Sequence, residues 1–571
     1  MTIEITGTWD IETENWDRFV CGGICDADGV FISYDEDAFA TALIEKKGTY
    51  WAHNGGAFDH LWLASWCARK GVGWRGIPRG ASIVAMYVGA VTLRDSRALW
   101  PDKLEVVAEL GGLPKLKLDL PCKCAEPCGG YCSITRKMPP KIKAIVNAYL
   151  ERDVTGLHAS LLKLAEYAER FGVALRSTVG ASAWATALEW CPGLEPLSRD
   201  VATYRRIRDA YFGGRTQGFR PVAERGHSRD IGSAYPAALS ALTLPVGDAL
   251  SRAPQNAFAR GDAGVFTARV TVPDCHVPPL PVREAERLVY ATGRVTGTWT
   301  GDELRHAQSR GVTIEAIETG IYWRERSPLL RPFADRIWAL REWAKKNDLA
   351  FYPWVKWIAN SLTGKLAMKP DQETLYYDPN GEVPDTHKRV LGEIGEGVCY
   401  TISREQVSPC AWVEHAAHLT AFTRVQLHTK LEEAGQGAIY CDTDCVKAID
   451  DMPIGAGDGL GEWSHEGTFA DWECLAPKLY RYTSTGGKHV GKVIVKGKGM
   501  SGLTSKGFDD LKKGDAWVID RGVVGAIRAL KDGEPFKRKD LSRRHMGGLV
   551  TMGDRDVTPS GVTRAPSRAM W

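Results

Sequence analysis

Tyr440-Cys441-Asp442-Thr443-Asp444 is the stretch on which the reading turns. In a tight hairpin Asp442 and Asp444 point the same way. With Asp230, in Arg229-Asp230-Ile231-Gly232-Ser233-Ala234-Tyr235-Pro236, they form a set able to hold two Mg²⁺ ions against a triphosphate. Between these segments lies Lys356-Trp357-Ile358-Ala359-Asn360-Ser361-Leu362-Thr363-Gly364, whose spacing puts Lys356, Asn360 and Thr363 on one helical face. Lys356 would bring positive charge to that triphosphate, although a solvated helical lysine reads the same way. Tyr235 would pack under a sugar and exclude a 2′-hydroxyl; a plain core aromatic is the simpler alternative.

A second acidic set lies upstream. Asp10 and Glu12 sit at i and i+2 in a strand-like run, so both carboxylates project from one face. Acidic pairs at that spacing are common on exposed strands, so their company decides. Asn54 and Phe58-Asp59 follow in Trp51-Ala52-His53-Asn54-Gly55-Gly56-Ala57-Phe58-Asp59, and Tyr149 stands four residues before Asp153 on a helical face. Four carboxylates that hold two ions, beside a tyrosine that orients a nucleophile, describe phosphodiester hydrolysis.

The surrounding composition fits a large soluble protein. The chain has 571 residues, 44% hydrophobic and 25% charged, enough for roughly three to five compact units. Net charge is +3, but Lys478 to Trp571 carries +11 and the preceding part −8. An acidic body with a basic end suits metal chemistry beside a polyanion-gripping surface, or simply a solvated basic face. The longest apolar run, Ala81 to Leu93, is bracketed by Arg79 and Arg94 and is too short to span a bilayer. The start is acidic and lacks a signal pattern, so a cytoplasmic location in a host cell, bacterial by the resemblance below, is expected.

No repeat appears. Leu330, Phe333, Ile337, Leu340 and Ala344, then Val355, Ile358, Ala359, Leu362 and Leu366, predict a helical hairpin broken at Asn347-Asp348. Pro370 to Val398, with Asp378-Pro379-Asn380-Gly381 inside, predicts a β-hairpin insertion. The proline-bearing stretch between Leu242 and Arg324 reads as an irregular insertion, and Val523 to Leu530 as a short helix.

These residues resemble family B DNA polymerases, whose exonuclease motifs DxE, N(x)FD and YxxxD precede polymerase motifs DxxSLYP, KxxxNSxYG and YxDTD. All six occur here in that order, followed by Lys478-Leu479-Tyr480 for the KxY motif. Tyr211-Phe212-Gly213-Gly214 is similar to the YxGG linker of the short protein-primed polymerases of linear-genome phages. The resemblance implies an α/β and α+β multidomain fold: an RNase-H-like 3′–5′ exonuclease, then a right-hand polymerase with palm, fingers and thumb and two terminal-protein-region insertions. The expected parts are exonuclease 1–175, linker and first palm part 176–241, first insertion 242–325, fingers 326–367, second insertion 368–400, second palm part 401–477 and thumb 478–571.

Carried over residue by residue, the resemblance makes Asp10, Glu12, Asp59 and Asp153 proofreading metal ligands, with Tyr149 and Lys117 assisting. Asn54, Phe58 and Ser96 would hold single-stranded primer. Asp230, Asp442 and Asp444 would serve the polymerase metals. Arg341, Lys356, Tyr235, Asn360 and Thr363 would line the nucleotide site, and Tyr211, Gly213, Gly214, Thr443, Lys478 and Tyr480 would contact DNA. Two Mg²⁺ (or Mn²⁺) per active site, template-primer DNA, deoxynucleoside triphosphates and a terminal protein primer are the implied cofactors and partners, with a monomeric chain and no membrane. The chain departs from the pattern at Thr363 (usually tyrosine), Ala234 (leucine), Cys445 (serine) and Arg97 (leucine).

Outside the resemblance, Cys122, Cys124, Cys128 and Cys132 lie within eleven residues beside Pro127 and Gly129-Gly130. Either one structural Zn²⁺ or reduced thiols in a loop would account for them. Three other functions stay open at this level: a DNA-primed family B polymerase, a 3′–5′ exonuclease with a degenerate polymerase half, and a noncatalytic DNA-binding replication factor.

Overall fold

Apolar spacing does what it predicts around residue 350. Helices Arg331–Asn347 and Tyr352–Leu366 form the hairpin, each with proline in its first turn. All ten residues of the expected apolar stripes are buried. They join the long helix Pro140–Phe171 and the helix Val179–Trp190 in the largest hydrophobic cluster of the protein. Full burial of each such leucine, isoleucine or phenylalanine contributes roughly 1.5–3 kcal/mol.

The computed structural model describes residues 3–14, 18–80, 82–118, 120–122, 131–284, 287–387, 389–394, 396–453, 459–487, 489–497 and 503–513, with short strands at 517–519, 542–544, 556–557 and 563–564. The expected helix at Val523 to Leu530 lies outside the described residues, as do Cys124 and Cys128 of the cysteine cluster. No helix among the described residues is long and apolar enough to cross a membrane.

Two sheets carry the acidic motifs. In the first, the central strands Gly7–Glu14, Gly48–Ala52 and Val91–Asp95 run parallel, and antiparallel neighbours extend both sides. It has ten strands because the insertion expected at 370–398 does not stand alone. Its strand Asp371–Asp378 pairs with Trp74–Arg79, Tyr376 opposite Arg75, while Gly397–Glu405 and Arg389–Ile394 follow on the outside. An edge of the first sheet is thereby covered by a segment some three hundred residues away in sequence.

The second sheet is antiparallel and seven-stranded. Its order is Val493–Gly497, Leu479–Ser484, Trp463–Ala476, Val222–Ile231, Cys445–Ala448, Ala438–Asp442 and Thr216–Gly218. Leu479–Ser484 pairs with Trp463–Ala476 and Val493–Gly497 pairs with it in turn, so this sheet continues past the expected thumb boundary at Lys478.

The segment 242–325, expected to be irregular, is mostly regular. Strands Gly293–Thr300, Ala263–Val272 and Thr313–Trp323 form an antiparallel sheet over its own core of Phe266, Val270, Trp299 and Leu304. Of the prolines that suggested irregularity, Pro278 and Pro279 lie in the loop before residue 281 and Pro281 opens the short strand Pro281–Glu284. The helix Gly301–Ser309 ties this part to the helix Val413–Ala434 through a buried ion pair: Arg424 Nε and Nη2 donate to Glu303 Oε1 and Oε2 at 2.8 and 2.9 Å. Arg424 Nη1 also donates to the carbonyls of Phe212 and Gly213 at 2.8 and 3.1 Å, so one guanidinium joins both helices to the Tyr-Phe-Gly-Gly linker.

Removing one partner of a buried pair strands the other charge, at about 3–5 kcal/mol. Glu303→Ala is therefore expected to lower the urea midpoint and speed amide exchange in 301–309 and 211–214, more than Glu303→Gln does. Equal exchange in Glu303→Ala and wild type would show that the pair does not hold these segments together.

Candidate active sites

The first acidic set converges. Asp10 and Glu12 leave one face of the strand Gly7–Glu14, and Asp153 comes across from the long helix; one oxygen from each lies within 4.8 Å of the others. Asp59, at the start of the helix Asp59–Arg69, sits beside Asp10 and accepts the Ile11 N–H at 3.2 Å. Burial, then the charge of Asp153, pushes the Asp10 carboxyl up to about 7. Glu12 and Asp59 are raised well above the usual carboxylate range, each by burial first and the Asp10 charge second. Asp153 Oδ1 is buried with no hydrogen-bond partner. A divalent cation fits such a site: it satisfies the orphaned oxygen and neutralises acids that otherwise hold protons.

Tyr149 is buried one turn before Asp153, and its hydroxyl shares a 2.8 Å hydrogen bond with Tyr131. The lysine in the cluster is Lys115, which pairs with Asp153 and lies 4.5 Å from the centre of the Tyr149 ring. Lys117, the expected lysine, is exposed. The reason is a helix crossing. A Cβ on Gly156 would lie 2.9 Å from the Leu113 carbonyl, so the chain can pass over the long helix there, which sets Lys115 against Asp153 and carries Lys117 beyond it.

Around this cluster, Asn54 takes a left-handed conformation (φ 62°) and accepts from Arg97 Nη1 at 2.9 Å. Arg97, a departure from the family pattern, thus holds an expected primer ligand. Ser96 is buried, 2.9 Å from His53 Nδ1, and Phe58 packs half-buried on the core of the first sheet.

In the second sheet Asp230 stands opposite Cys445, and Asp442 opposite Cys445 on the other side, with Thr443-Asp444 as the turn. Thr443 is left-handed (φ 61°), a costly conformation for a β-branched residue, and its N–H donates to the Arg215 carbonyl at 2.7 Å. Gly214 makes this possible, since a Cβ there would meet Thr443 Oγ1 at 2.6 Å. That assigns the second linker glycine a packing role.

The second set separates into two environments. Asp442 is engaged: Lys478 Nζ reaches both its oxygens at 2.5 and 2.6 Å, and Thr216 donates to Oδ1 at 3.0 Å. Asp230 and Asp444 form the electrostatically crowded pair. Burial, then Asp444 and Glu466, pushes Asp230 up to about 8, and burial raises Asp444 to about 6. Glu466, which the motif reading missed, has a carboxylate oxygen within 4.8 Å of ligand atoms of Asp230 and Cys445. It comes from the strand Trp463–Ala476, next to Asp230 in the sheet, and only the register reveals it.

Lys356 and Asn360 are exposed one turn apart, and the charge of Lys356 reaches Asp230. Thr363, expected on the same face, is buried with its hydroxyl unpartnered, because the end of that stripe is covered. Arg341 donates to Ser233 Oγ and to the Tyr352 hydroxyl, tying the helix Arg331–Asn347 to the Asp230 turn. Tyr235 is half-buried near Tyr211 and Asp444 and raised to about 12, chiefly by burial. Tyr480 stacks on Trp472 at 4.8 Å, and the Lys478 N–H donates to the Tyr440 hydroxyl at 2.9 Å.

Two acidic clusters therefore lie in one chain, one on the parallel strands of a mixed sheet and one on an antiparallel sheet. Residues 133–412 match the family described as DNA polymerase type B, organellar and viral. A DNA-directed DNA polymerase of Enterobacteria phage PRD1 is 25% identical over 462 residues, covering 76% of this chain and 74% of the phage protein. A probable DNA polymerase of the fungus Ascobolus immersus is 26% identical over 302 residues, 48% of this chain; the match spans only 24% of that longer protein. The DNA polymerase of Bacillus phage phi29, solved with primer-template DNA and incoming nucleotides, superposes with a TM-score of 0.69 at 18% identity over 91% of this chain and 96% of that one. The matched family and these relatives are DNA polymerases, and the superposition shows that this chain shares the fold of the phi29 enzyme.

The Asp230 environment sets a pH dependence. A carboxyl whose folded pKa is raised contributes stability that is complete below 3.8 and is lost as pH rises through about 8. Without divalent ions, Asp230→Asn is therefore expected to melt above wild type near pH 8 and level with it near pH 4. A difference that persists unchanged at low pH would show that Asp230 is not strained by its neighbours.

Proposed function

We propose that the chain is a DNA-directed DNA polymerase with 3′–5′ proofreading, working on template-primer DNA with deoxynucleoside triphosphates. The observation that carries this reading is the presence of two separate groups of partly buried, mutually repelling carboxylates in one chain, one group in each sheet.

Asp10, Glu12, Asp59 and Asp153 would hold one pair of Mg²⁺ or Mn²⁺ ions, and Asp230 and Asp444, with Glu466 beside them, the other. Bound there, the ions supply an activated oxygen nucleophile and offset the negative charge of the reacting phosphate. The chain's own residues do the positioning. Lys115 fixes Asp153, and Tyr131 holds the Tyr149 hydroxyl over the first cluster. Lys478 and Thr216 fix Asp442 at the end of its strand, while Arg341 braces the Ser233 turn that follows Asp230. Lys356, exposed within electrostatic reach of Asp230, is placed to meet a triphosphate.

Priming from a terminal protein is part of the same proposal. It is supported by the similarity to the PRD1 and phi29 enzymes over most of their lengths, and by the segment 242–325 forming a separate sheet with its own core. Incubation with a candidate partner and labelled nucleotide is expected to leave a covalent protein adduct.

The decisive assay uses a 5′-labelled primer on a longer template with Mg²⁺. Wild type is expected to elongate with all four nucleotides and to shorten the primer without them. Asp10→Ala should lose shortening, and Asp444→Ala elongation, each by at least about a hundredfold, because losing a metal ligand costs more than the 10–100-fold typical of an outer-shell partner. Shortening without any elongation would return the nuclease reading, and loss of both activities in either variant would refute two separate sites.

A further inference from the structure

Outside both acidic sets, the helix Gly301–Ser309 of the first insertion faces the helix Val413–Ala434 with His306, His428 and Glu432, one ligand atom from each lying within 4.8 Å of the others. His306 Nε2 is 3.0 Å from His428 Nδ1, and Glu432 Oε2 is 3.4 Å from that same nitrogen. Two ligands held about 2.0–2.1 Å from a tetrahedral zinc stand roughly 3.3 Å apart, so these separations already bracket the edge of such a site. The two imidazole rings are nearly perpendicular, at 86°.

From these contacts we infer that His306, His428 and Glu432 form a zinc-class divalent metal site that clamps the first insertion to the palm. The buried residue is oriented for it. The side chain of His428 is 2% exposed, and its Nε2 lies 2.9 Å from the Val277 carbonyl. Donation there leaves the Nδ1 lone pair directed at His306 and Glu432, the backbone-carbonyl support characteristic of metal-binding histidines. Two imidazole nitrogens and one carboxylate oxygen select a borderline ion such as Zn²⁺ over Mg²⁺. His306 is half-buried and Glu432 exposed, so a water can take a fourth position.

One contact opposes the ion. Arg310 Nε donates to Glu432 Oε2 at 2.8 Å, supplying in its place the charge a metal would bring. Zinc must displace that guanidinium or share the carboxylate with it. The Arg424–Glu303 pair joins the same two helices, so an ion here would add a second tie across one interface. Neither tie touches the acidic clusters.

The test is calorimetric titration of the full, chelator-stripped protein with Zn²⁺ in excess Mg²⁺, comparing wild type with His306→Ala, Glu432→Gln and Arg310→Ala. None of these residues is fully buried, and matching circular dichroism before titration confirms folding. One zinc per chain is expected to bind to wild type at this site. Binding should weaken at least tenfold in His306→Ala and Glu432→Gln, and stay equal or tighten in Arg310→Ala. Cobalt separates this site from the cysteine cluster, since a nitrogen and oxygen site gives visible bands without the strong near-ultraviolet thiolate band. Zinc binding that is absent from wild type, or identical in wild type, His306→Ala and Glu432→Gln, would overturn the assignment; so would weaker binding in Arg310→Ala.

Discussion

Repulsion between carboxylates brought close together away from water is the constraint around which this molecule is arranged. Burial first, and then the charge of Asp153 on Asp10 and of Asp10 on Glu12 and Asp59, raises these carboxyls on the first sheet, as burial and then the charges of Asp444 and Glu466 raise Asp230 on the second. Like charges at such distances persist only where surrounding structure holds them. Part of the opposition is ionic: Lys115 against Asp153, Lys478 against Asp442, Lys447 and Lys356 towards Asp230. Part is backbone strain. Of the six non-glycine residues with positive φ among the described residues, Asn54, Ser233, Thr443 and Lys478 lie in the acidic sites or their immediate supports. At about 1–3 kcal/mol each, these conformations show a backbone forced by its surroundings into aiming side chains.

The parts legible in the sequence were those that short-range spacing controls. The stripes of the helical hairpin, Asp10 with Glu12, and Tyr149 with Asp153 depend on periods of 3.6 or 2 residues, and each is present. Pairings between distant segments were not legible. Nothing local marks Glu466 as a neighbour of Asp230, because that proximity follows from sheet register. Lys115 and Lys117 read alike until the crossing at Gly156 is known. Alternation in Ala263–Val272 was masked by the prolines nearby, so a regular sheet passed for an irregular insertion. Thr363 fits the period of Lys356 and Asn360, but periodicity cannot tell which end of a stripe the rest of the protein covers.

The two acidic sites are also tied to each other by contacts outside the carboxylates themselves. Asp102 accepts the indole N–H of Trp100 at 3.0 Å and of Trp357 at 2.8 Å, and Trp357 directly follows Lys356 on the helix Tyr352–Leu366. The backbone carbonyl of Asp102 is 3.0 Å from His53 Nε2, whose other ring nitrogen meets Ser96. A continuous run of polar contacts therefore joins an expected primer ligand of the first part to the residue beside the expected triphosphate ligand of the second.

Apolar packing reinforces that run at the turn of the helical hairpin. Tyr167 and Phe171, on the long helix that carries Asp153, pack against Trp343 and Phe351, and the Tyr167 hydroxyl donates to Asp348 at 2.7 Å. Such aromatic pairs contribute about 0.5–1.5 kcal/mol each beyond area burial, and a hydrogen bond to a charged group about 1.5–3 kcal/mol. Swinging the helical hairpin away from the first part would break both sets together, at a cost well above thermal energy.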